Sequence, residues 1–403
     1  MEFKHGQAYQ HIEKGQHLER LGRMDEAMLE FKRAVEADPS VAAAHAALGY
    51  HYQRKGLLTK AVDEFRTAAV LNNDYENLFN LGRALSELDR YEEAAEAFRQ
   101  CLMLDPQDPS ARYEQAFVAC AQGHFAEGLA EFQALATEYP DDWELDLAIA
   151  NCHIGLKNYA EAVRILRQAM AKAPPNTDLQ AAREALIMSL RHLEFAPDQT
   201  LGLKESLYAD YGVVCLGSGR DNGLEVPIYE KHAFTYRDVA VTLSRLLALI
   251  KEYDWHINAL VCVDEDAMPL AIALSQLLRV AVLGVEELRS DDLLLVIVSP
   301  ETPPELLEVT LEHVAGQYLS FALALPWSPD AGPLIDLVGV ACDGKCTLPW
   351  KRLRKRTAEA AATSVLRALA VWREEANLSQ QMAYYTQQHR LLRFLDLSAE
   401  LDK

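Results

Sequence analysis

The sequence has no long apolar run and no segment that would target the chain to a membrane. Its strongest apolar stretch, Leu293–Val298, is far shorter than the ~20 residues that a membrane-spanning helix needs. The first residues, Met1 to His5, contain neither an apolar segment nor a cleavage site, so we expect no signal peptide. We therefore predict a soluble, cytoplasmic protein with no membrane partner.

Cysteine is too sparse and too scattered to form a disulfide framework. The count is odd, and the positions are Cys101, Cys120, Cys152, Cys215, Cys262, Cys342 and Cys346. The first three fall on helical faces, where a reduced cysteine packs as a small hydrophobe. Cys342 and Cys346 are half of a zinc site, with no nearby Cys or His to complete it. We predict a reducing compartment and no metal.

Positive charge is also in short supply. Lys and Arg total 39 against 60 Asp and Glu, which gives a net charge of −21. So acidic a surface repels phosphate backbones and excludes a general nucleic-acid-binding protein. The one dense basic run contains Lys351, Arg352, Arg354, Lys355 and Arg356. It could meet an acidic partner, although a solvated helix start is the simpler interpretation.

What the sequence does contain is an internal repeat through its first half. Small residues are spaced 34, 33, 34 and 34 positions apart, namely Ala27, Ala61, Ala94, Gly128 and Ala162. Four positions after each comes a large apolar residue, namely Phe31, Phe65, Phe98, Phe132 and Leu166. Twelve positions before each small residue lies another, namely Gly15, Gly49, Gly82, Ala116 and Ala150. Small residues let two antiparallel helices approach, and we expect the Phe series to fill the space between successive pairs.

This pattern resembles the tetratricopeptide repeat (TPR) family over residues 8–174. The resemblance implies an α-solenoid of five helical hairpins in residues 1–196, with a capping helix at about 178–194. In that family the first helices line a concave groove that binds a protein or peptide. The carried-over groove residues are Tyr50, Arg54, Phe79, Asn80, Arg83, Tyr113, Phe117 and Asn151. The other interpretation is that individual aromatic residues of this set only pack between neighbouring first helices.

The second half changes to alternating strands and helices. After a helical connector at 197–210, apolar strands are expected at 211–216, 257–263, 280–283, 293–298 and 318–325, with helices between them. Continuously apolar strands that alternate with helices predict a mainly parallel sheet covered on both faces in residues 211–350. The Asp343-Gly344 pair predicts an antiparallel hairpin at the sheet edge within 334–348. A helical segment follows at 351–403.

Three segments of this α/β half resemble the phosphoribosyltransferase fold of the orotate type. They are residues 216–220, residues 259–271 and residues 293–307. The resemblance places Asp264, Asp266, Ser299 and Thr302 in the loops that would hold a diphosphate ligand. The usual acidic pair is missing there, however, and prolines replace backbone N–H donors. We predict a degenerate domain that keeps the fold without the chemistry, and we assign no catalytic residue and no cofactor.

Three further features have two interpretations each. The glycine-rich loop 217–223 could contact an anion or be a plain surface loop. Asp264, Glu265 and Asp266 could bind Mg²⁺ or form a solvated acidic loop. An apolar stripe, made of Leu378, Met382, Tyr385, His389, Leu392 and Leu395, could pack on the chain itself or form a homodimer.

These observations favour a non-enzymatic adaptor. Its TPR groove would hold a protein or peptide, and its α/β domain would present a second interaction surface. Two alternatives stay open: a divergent phosphoribosyltransferase-like enzyme, and a sensor that binds a nucleotide-like ligand without turnover.

Overall fold

A computed structural model shows that the chain divides into two compact units, Met1–Ala182 and Arg183–Lys403. The structure describes residues 2–289, 293–314, 316–326, 335–351, 357–373, 377–395 and 397. Across these residues, no helix combines the length and apolar character needed to cross a membrane. The domain boundary expected at residue 196 lies beyond this division and stays a prediction.

The N-terminal unit is built from antiparallel helical hairpins. Its helices are α1 (Glu2–Arg20), α2 (Met24–Ala37), α3 (Ala42–Arg54), α4 (Leu58–Leu71), α5 (Tyr75–Ser86), α6 (Tyr91–Leu104), α7 (Pro109–Ala121), α8 (Phe125–Glu138), α9 (Trp143–Gly155) and α10 (Tyr159–Lys172). Helix α11 (Gln180–His192) follows. Successive helices pack as five hairpins, which confirms the predicted solenoid.

Local sequence sets where these helices begin and turn. Asp74, Asp108 and Asp142 precede α5, α7 and α9, and each side chain accepts hydrogen bonds from backbone N–H groups of the first turn. Such caps satisfy donors that a helix start would otherwise leave unpaired. Gly22 and Gly56 adopt left-handed φ values of 74° and 71° in the turns inside the first two hairpins, a conformation that glycine adopts without steric cost.

The repeated phenylalanines pack directly onto the repeated glycines. A Cβ added to Gly15 would lie 2.5 Å from Phe31, and one added to Gly49 would lie 2.9 Å from Phe65. Phe31 and Phe65 therefore contact the first helix of their own hairpin, in addition to the expected position between successive hairpins. The Phe31 ring also lies 5.7 Å from the His51 ring of the next hairpin, so it reaches both.

The C-terminal unit is an α/β layer structure. Its elements are α12 (Leu203–Tyr211), β1 (Val214–Cys215), β2 (Ile228–Tyr229), β3 (His232–Ala233), α13 (Tyr236–Glu252), β4 (Ala259–Cys262), α14 (Met268–Leu278), β5 (Ala281–Leu283), β6 (Leu293–Val298), α15 (Pro304–His313), β7 (Gln317–Pro326), β8 (Leu337–Cys342), β9 (Cys346–Thr347), α16 (Ala358–Trp372) and α17 (Leu378–Ala383). A short 3₁₀ turn, Val285–Glu287, follows β5, and a π-helical turn, Tyr384–Gln388, follows α17.

The main sheet is parallel throughout its described pairs, in the order β1-β8-β7-β6-β4-β5, and β2 also pairs with β8. Strand β6 shows how both faces are buried. Leu295 and Ile297 join the core that includes residues of α13, α14 and α16, whereas Leu294 and Val296 join the core beneath α15. Burial on both faces explains the uninterrupted apolar run in the sequence.

The predicted antiparallel hairpin around Asp343-Gly344 was wrong. Strand β8 is an internal strand of the parallel sheet, and β9 pairs with β3 in a separate two-stranded sheet. Residue 334, where the predicted hairpin began, lies outside the described residues. Neither Asp343 nor Gly344 has the positive φ that a type I′ hairpin turn requires. Glycine is needed at 344 for another reason, because a Cβ there would overlap the carbonyl oxygen of Glu230.

The C-terminal apolar stripe packs on the unit's own core. Tyr385 and Leu392 are fully buried in it, and Met382 and Leu395 contact it at its margin. The helical structure ends at Gln388 rather than continuing along the stripe. Of the basic run, Lys351 is described and residues 352–356 lie outside the described residues.

Candidate partner-binding groove and strand-end loops

A depression of about 410 Å³ opens on the first helices of the first three repeats. Tyr9 and Gln16 of α1, Ala46 and Tyr50 of α3, and Asn77 of α5 contribute to its lining. The first helices therefore line a concave surface, as the repeat pattern implies. The sequence interpretation missed Ser40, Asn72 and Asp74, which reach the depression from turns between repeats. The sequence did contain a signal for these three residues, because each lies in a turn that follows a second helix at a regular position of the repeat.

Tyr50 lies between this depression and the buried phenylalanines. Its side chain is 40% exposed, while its ring packs edge-on against Phe65 with the ring centroids 5.1 Å apart. Burial raises the pKa of the Tyr50 phenol, and the nearby Glu76 carboxylate raises it further. Next to it on α5, the Asn80 side chain is buried at its Nδ2 atom, and its proximity lowers the pKa of the Tyr50 phenol in opposition to these two effects.

The two arginines of the predicted groove are both exposed and both paired with acids. Arg54 donates to Glu19 at 2.9 Å, which joins α3 to α1. Arg83 Nε lies 3.6 Å from Glu114 Oε1, which joins α5 to α7. Burial raises the pKa of the Glu114 carboxyl. In each pair the arginine is exposed while the acid is largely buried, so the arginine can also contact a ligand from the solvent side.

The remaining predicted residues divide into packing residues and exposed residues. Phe79 stacks on Tyr75 and packs edge-on against Phe98, with centroids 5.6 Å and 5.7 Å away. Tyr113 packs against Phe132 at 5.2 Å. By contrast, the remaining two, Phe117 on α7 and Asn151 on α9, are exposed. The alternative interpretation therefore fits Phe79 and Tyr113 better than it fits Phe117.

In the C-terminal unit, the structure brings the four predicted loop residues together, with Asp264 in contact with the other three. The Asp264 carboxylate accepts hydrogen bonds from the backbone N–H groups of Asp266 at 2.9 Å and Ser299 at 3.1 Å. It also accepts a hydrogen bond from the Thr302 hydroxyl. These residues follow β4 and β6, where the strand order reverses and open α/β sheets commonly bind ligands. Here the carboxylate joins the two loops to each other.

Asp266, the fourth loop residue, pairs with a cation from another part of the unit. Lys351 Nζ lies 2.6 Å from Asp266 and 2.7 Å from Glu301, so one cation bridges the two loops. The Trp350 indole N–H also donates to the Asp266 carbonyl at 3.0 Å. Within the part of the chain that the structure describes, no cluster of three or more His, Cys, Asp or Glu residues is arranged for a metal ion.

The glycine-rich loop after β1 is held by hydrogen bonds to one of its own acidic side chains. The Asp221 carboxylate accepts hydrogen bonds from the backbone N–H groups of Ser218 at 3.1 Å and Gly223 at 3.0 Å. It also lies 3.6 Å from the guanidinium of the buried Arg245. Gly223 needs its left-handed φ of 72° to make this turn. Lys204 Nζ, itself buried, donates to the Gly223 carbonyl at 2.6 Å. The loop borders a depression of about 880 Å³.

Comparison with known proteins identifies the repeats. Three tetratricopeptide-repeat family models match residues 12–76, 75–108 and 119–186. No curated protein matches the sequence.

Similar solved structures each cover less than half of the chain. The MamA protein is 22% identical over 41% of this chain and 91% of its own, with a TM-score of 0.38. YrrB, described as a TPR protein with an unusual peptide-binding site, is 22% identical over 41% of this chain and 86% of its own, also at 0.38. PilF of Pseudomonas aeruginosa is 22% identical over 47% and 86%, with a TM-score of 0.39.

Proposed function

We propose that the N-terminal half of this chain, which consists of tetratricopeptide repeats, binds a protein or peptide in its concave groove and that the chain acts as a non-enzymatic adaptor. The depression lined by first helices, with Tyr50 in its wall, is the observation that carries this proposal. An adaptor of this kind needs a shaped surface and exposed contact residues, and the groove provides both.

Exposed aromatic residues favour the groove over other surfaces of this unit. Tyr9 and Phe117 are each 46% exposed and lie, like Tyr50, on first helices. Aromatic side chains supply a large contact area at a small cost in conformational entropy, which is why they dominate binding hot spots. The Tyr50 ring is already held against Phe65, so it would lose little freedom when a partner binds.

Replacing Arg83 or Phe117 with Ala is expected to weaken partner capture without unfolding the protein. Both side chains are largely exposed, so their removal leaves little cavity, and hot-spot truncations typically weaken binding about tenfold or more. The measurement is affinity capture with the full-length chain, quantified by mass spectrometry, alongside circular-dichroism melting curves. Tyr50→Ala is a less clean test, because it also removes packing against Phe65.

Val70→Ala is the matched control, since Val70 lies on a second helix, α4, and is 81% exposed. It should retain partners as the wild type does. Equal capture by all three variants and the wild type would overturn the groove assignment.

For the C-terminal unit, we propose an interaction surface that does not use phosphoribosyl diphosphate. The Asp264 carboxylate, placed where such a ligand would meet it, is already hydrogen-bonded to the opposite loop. Pro300, Pro303 and Pro304 also lack the backbone N–H groups that phosphate-binding loops use. A divergent transferase or a nucleotide sensor remains the alternative function.

Calorimetric titration of the full chain with phosphoribosyl diphosphate and Mg²⁺ is expected to show no saturable heat at millimolar ligand. Mg²⁺ is included because it would offset the negative charge of Asp264 and Asp266. Asp264→Asn is expected to lower stability without changing this result, because it weakens the hydrogen bonds between the two loops. Micromolar binding that Asp264→Asn abolishes would instead make the enzyme or sensor the leading interpretation.

A further inference from the structure

Four of the seven cysteines stand in two close pairs, and the sequence had suggested only the proximity of Cys342 and Cys346. Cys120 Sγ on α7 lies 3.2 Å from Cys152 Sγ on α9. Cys346 Sγ lies 3.0 Å from Cys342 Sγ, across the connection between β8 and β9. Of these four residues, Cys120 is half-buried and the other three are buried. An oxidant in solution can therefore reach the pair in the repeats more easily than the pair in the sheet.

The fourth repeat is adapted to the Cys120 sulfur. At the position where the other repeats carry Ala27, Ala61, Ala94 and Ala162, this repeat carries Gly128. A Cβ on Gly128 would overlap Cys120 Sγ, so the missing methyl group is what makes room for the sulfur. From sequence alone, Gly128 reads as a departure from the repeat pattern. The structure shows that it accompanies the cysteine pair.

The two thiols of this pair differ in character. Cys120 is half-buried and Cys152 is buried, and either sulfur can donate the hydrogen bond between them. That bond lowers the pKa of the Cys120 thiol, and the same bond, together with burial, raises the pKa of Cys152. Because Cys120 is the thiol that solvent can reach, it is the nucleophile of the pair and Cys152 is the resolving thiol.

We propose that Cys120 and Cys152 form a reversible dithiol–disulfide site, which links the first helices of the fourth and fifth repeats and reacts with small-molecule disulfides. Their sulfurs are adjacent, one of them is accessible, and Gly128 accommodates the pair. This is a covalent modification site in the solenoid, and its chemistry does not depend on what the groove binds.

The reaction is thiol–disulfide exchange in two steps. The Cys120 thiolate first attacks one sulfur of the small disulfide, forming a mixed disulfide and releasing one thiolate. Cys152 then loses its proton and attacks Cys120 Sγ, which releases the second thiolate. The two protein thiols are oxidised to one disulfide, the small disulfide is reduced to two thiols, and the two protons pass to the leaving groups.

The site lies next to groove residues, so oxidation would also affect docking if the proposed function holds. Phe117 lies one helical turn before Cys120 on α7, and Asn151 immediately precedes Cys152 on α9. A bond between α7 and α9 would restrict the relative movement of the fourth and fifth repeats. This consequence rests on the proposed function, whereas formation of the disulfide does not.

The test is to incubate the full-length chain with oxidised glutathione, alkylate the remaining thiols and map the peptides without reduction. We expect a peptide linked through Cys120 and Cys152, formed at least about tenfold faster than any other cysteine modification. Cys152→Ser should trap glutathione on Cys120, and Cys120→Ser should leave Cys152 reduced. Cys101→Ser, which removes a buried thiol of α6, should not change the linked product.

A thermal melt gives a second readout, because the disulfide would close a loop in the unfolded chain. Oxidation should raise the melting midpoint of the wild type by about 5 °C and leave that of Cys152→Ser unchanged. If Cys120 carries glutathione but no linked peptide forms, or if neither cysteine reacts, the proposal is wrong. A linked peptide with unchanged partner capture would support the dithiol site and overturn only its connection to the groove.

Discussion

Phe65→Ala is expected to lower the free energy of unfolding of the N-terminal unit by about 3–5 kcal/mol, as for other large-to-small changes at fully buried aromatic residues. Phe65 has no exposed surface, and its ring fills the space above Gly49 while supporting Tyr50. Truncation removes both contacts and leaves a cavity that two rigid helices cannot close. Urea unfolding followed by circular dichroism measures the change, because this unit is almost entirely helical.

A double-mutant cycle with Gly49→Ala tests the proposed contact itself. The new Cβ would lie 2.9 Å from the Phe65 ring, so Gly49→Ala should destabilise the wild-type unit despite the higher helix propensity of Ala. In the Phe65→Ala background that clash is absent, and Gly49→Ala should become neutral or stabilising. Additive effects of the two changes would show that the ring and the glycine do not contact each other as described.

Val70→Ala serves as the control for this cycle as well. It lies on the same helix as Phe65, but its side chain is largely exposed. Its expected effect is within about 0.5 kcal/mol, which is typical of surface positions. A loss at Val70 equal to that at Phe65 would mean that the buried and exposed faces of α4 are assigned incorrectly.

Asp221→Ala is expected to destabilise the C-terminal unit by about 3–5 kcal/mol, because it removes one member of a buried ion pair. Arg245 is only 1% exposed, and its guanidinium lies 3.6 Å from the Asp221 carboxylate. Burial lowers the pKa of the Arg245 guanidinium, yet arginine still keeps its charge at neutral pH. The change would also leave the backbone N–H groups of Ser218 and Gly223 without their acceptor.

Removing both charges tests whether the loss comes from the ion pair. Asp221→Ala combined with Arg245→Met should be less destabilised than Asp221→Ala alone, since the buried cation near Asp221 is removed together with the acid. Glu225→Ala, which changes an exposed acid two residues after this loop, is the control and should change stability by less than about 0.5 kcal/mol. If Asp221→Ala behaves like Glu225→Ala, the glycine-rich loop is a plain surface loop that does not depend on this pair.

The helices and most strands could be predicted because their signals are local. The spacing of small and aromatic residues predicted the hairpins of the N-terminal unit, and β6 has the predicted limits. The Asp343-Gly344 pair is an equally local signal, but it led to the wrong prediction of a hairpin. A glycine is found in hairpin turns and also wherever another backbone segment comes too close for a side chain. Only the packed chain, in which Glu230 between β2 and β3 lies against Gly344, shows why glycine is needed there.

Within the groove, the sequence placed the candidate residues on the correct helices but could not rank them. A period of about 34 residues identifies the first helices and their concave face. Whether a ring is exposed, like Phe117, or packed on a buried neighbour, like Tyr113 on Phe132, depends on the angle between adjacent hairpins. That angle arises from contacts between residues far apart in the chain, and no local pattern encodes it.

The sequence by itself determined the repeat, the parallel sheet and the positions of the acidic and proline-rich loops, since each follows from residue types at fixed spacing. The tertiary structure alone decided how their polar groups are used. It turns Asp264 toward Ser299 and Thr302 and pairs Asp266 with Lys351. It also sets the sulfurs of Cys120 and Cys152 side by side across two repeats. Hydrogen bonds and thiol pairs depend on distances of a few ångströms, and only the packed chain sets such distances between residues remote in sequence.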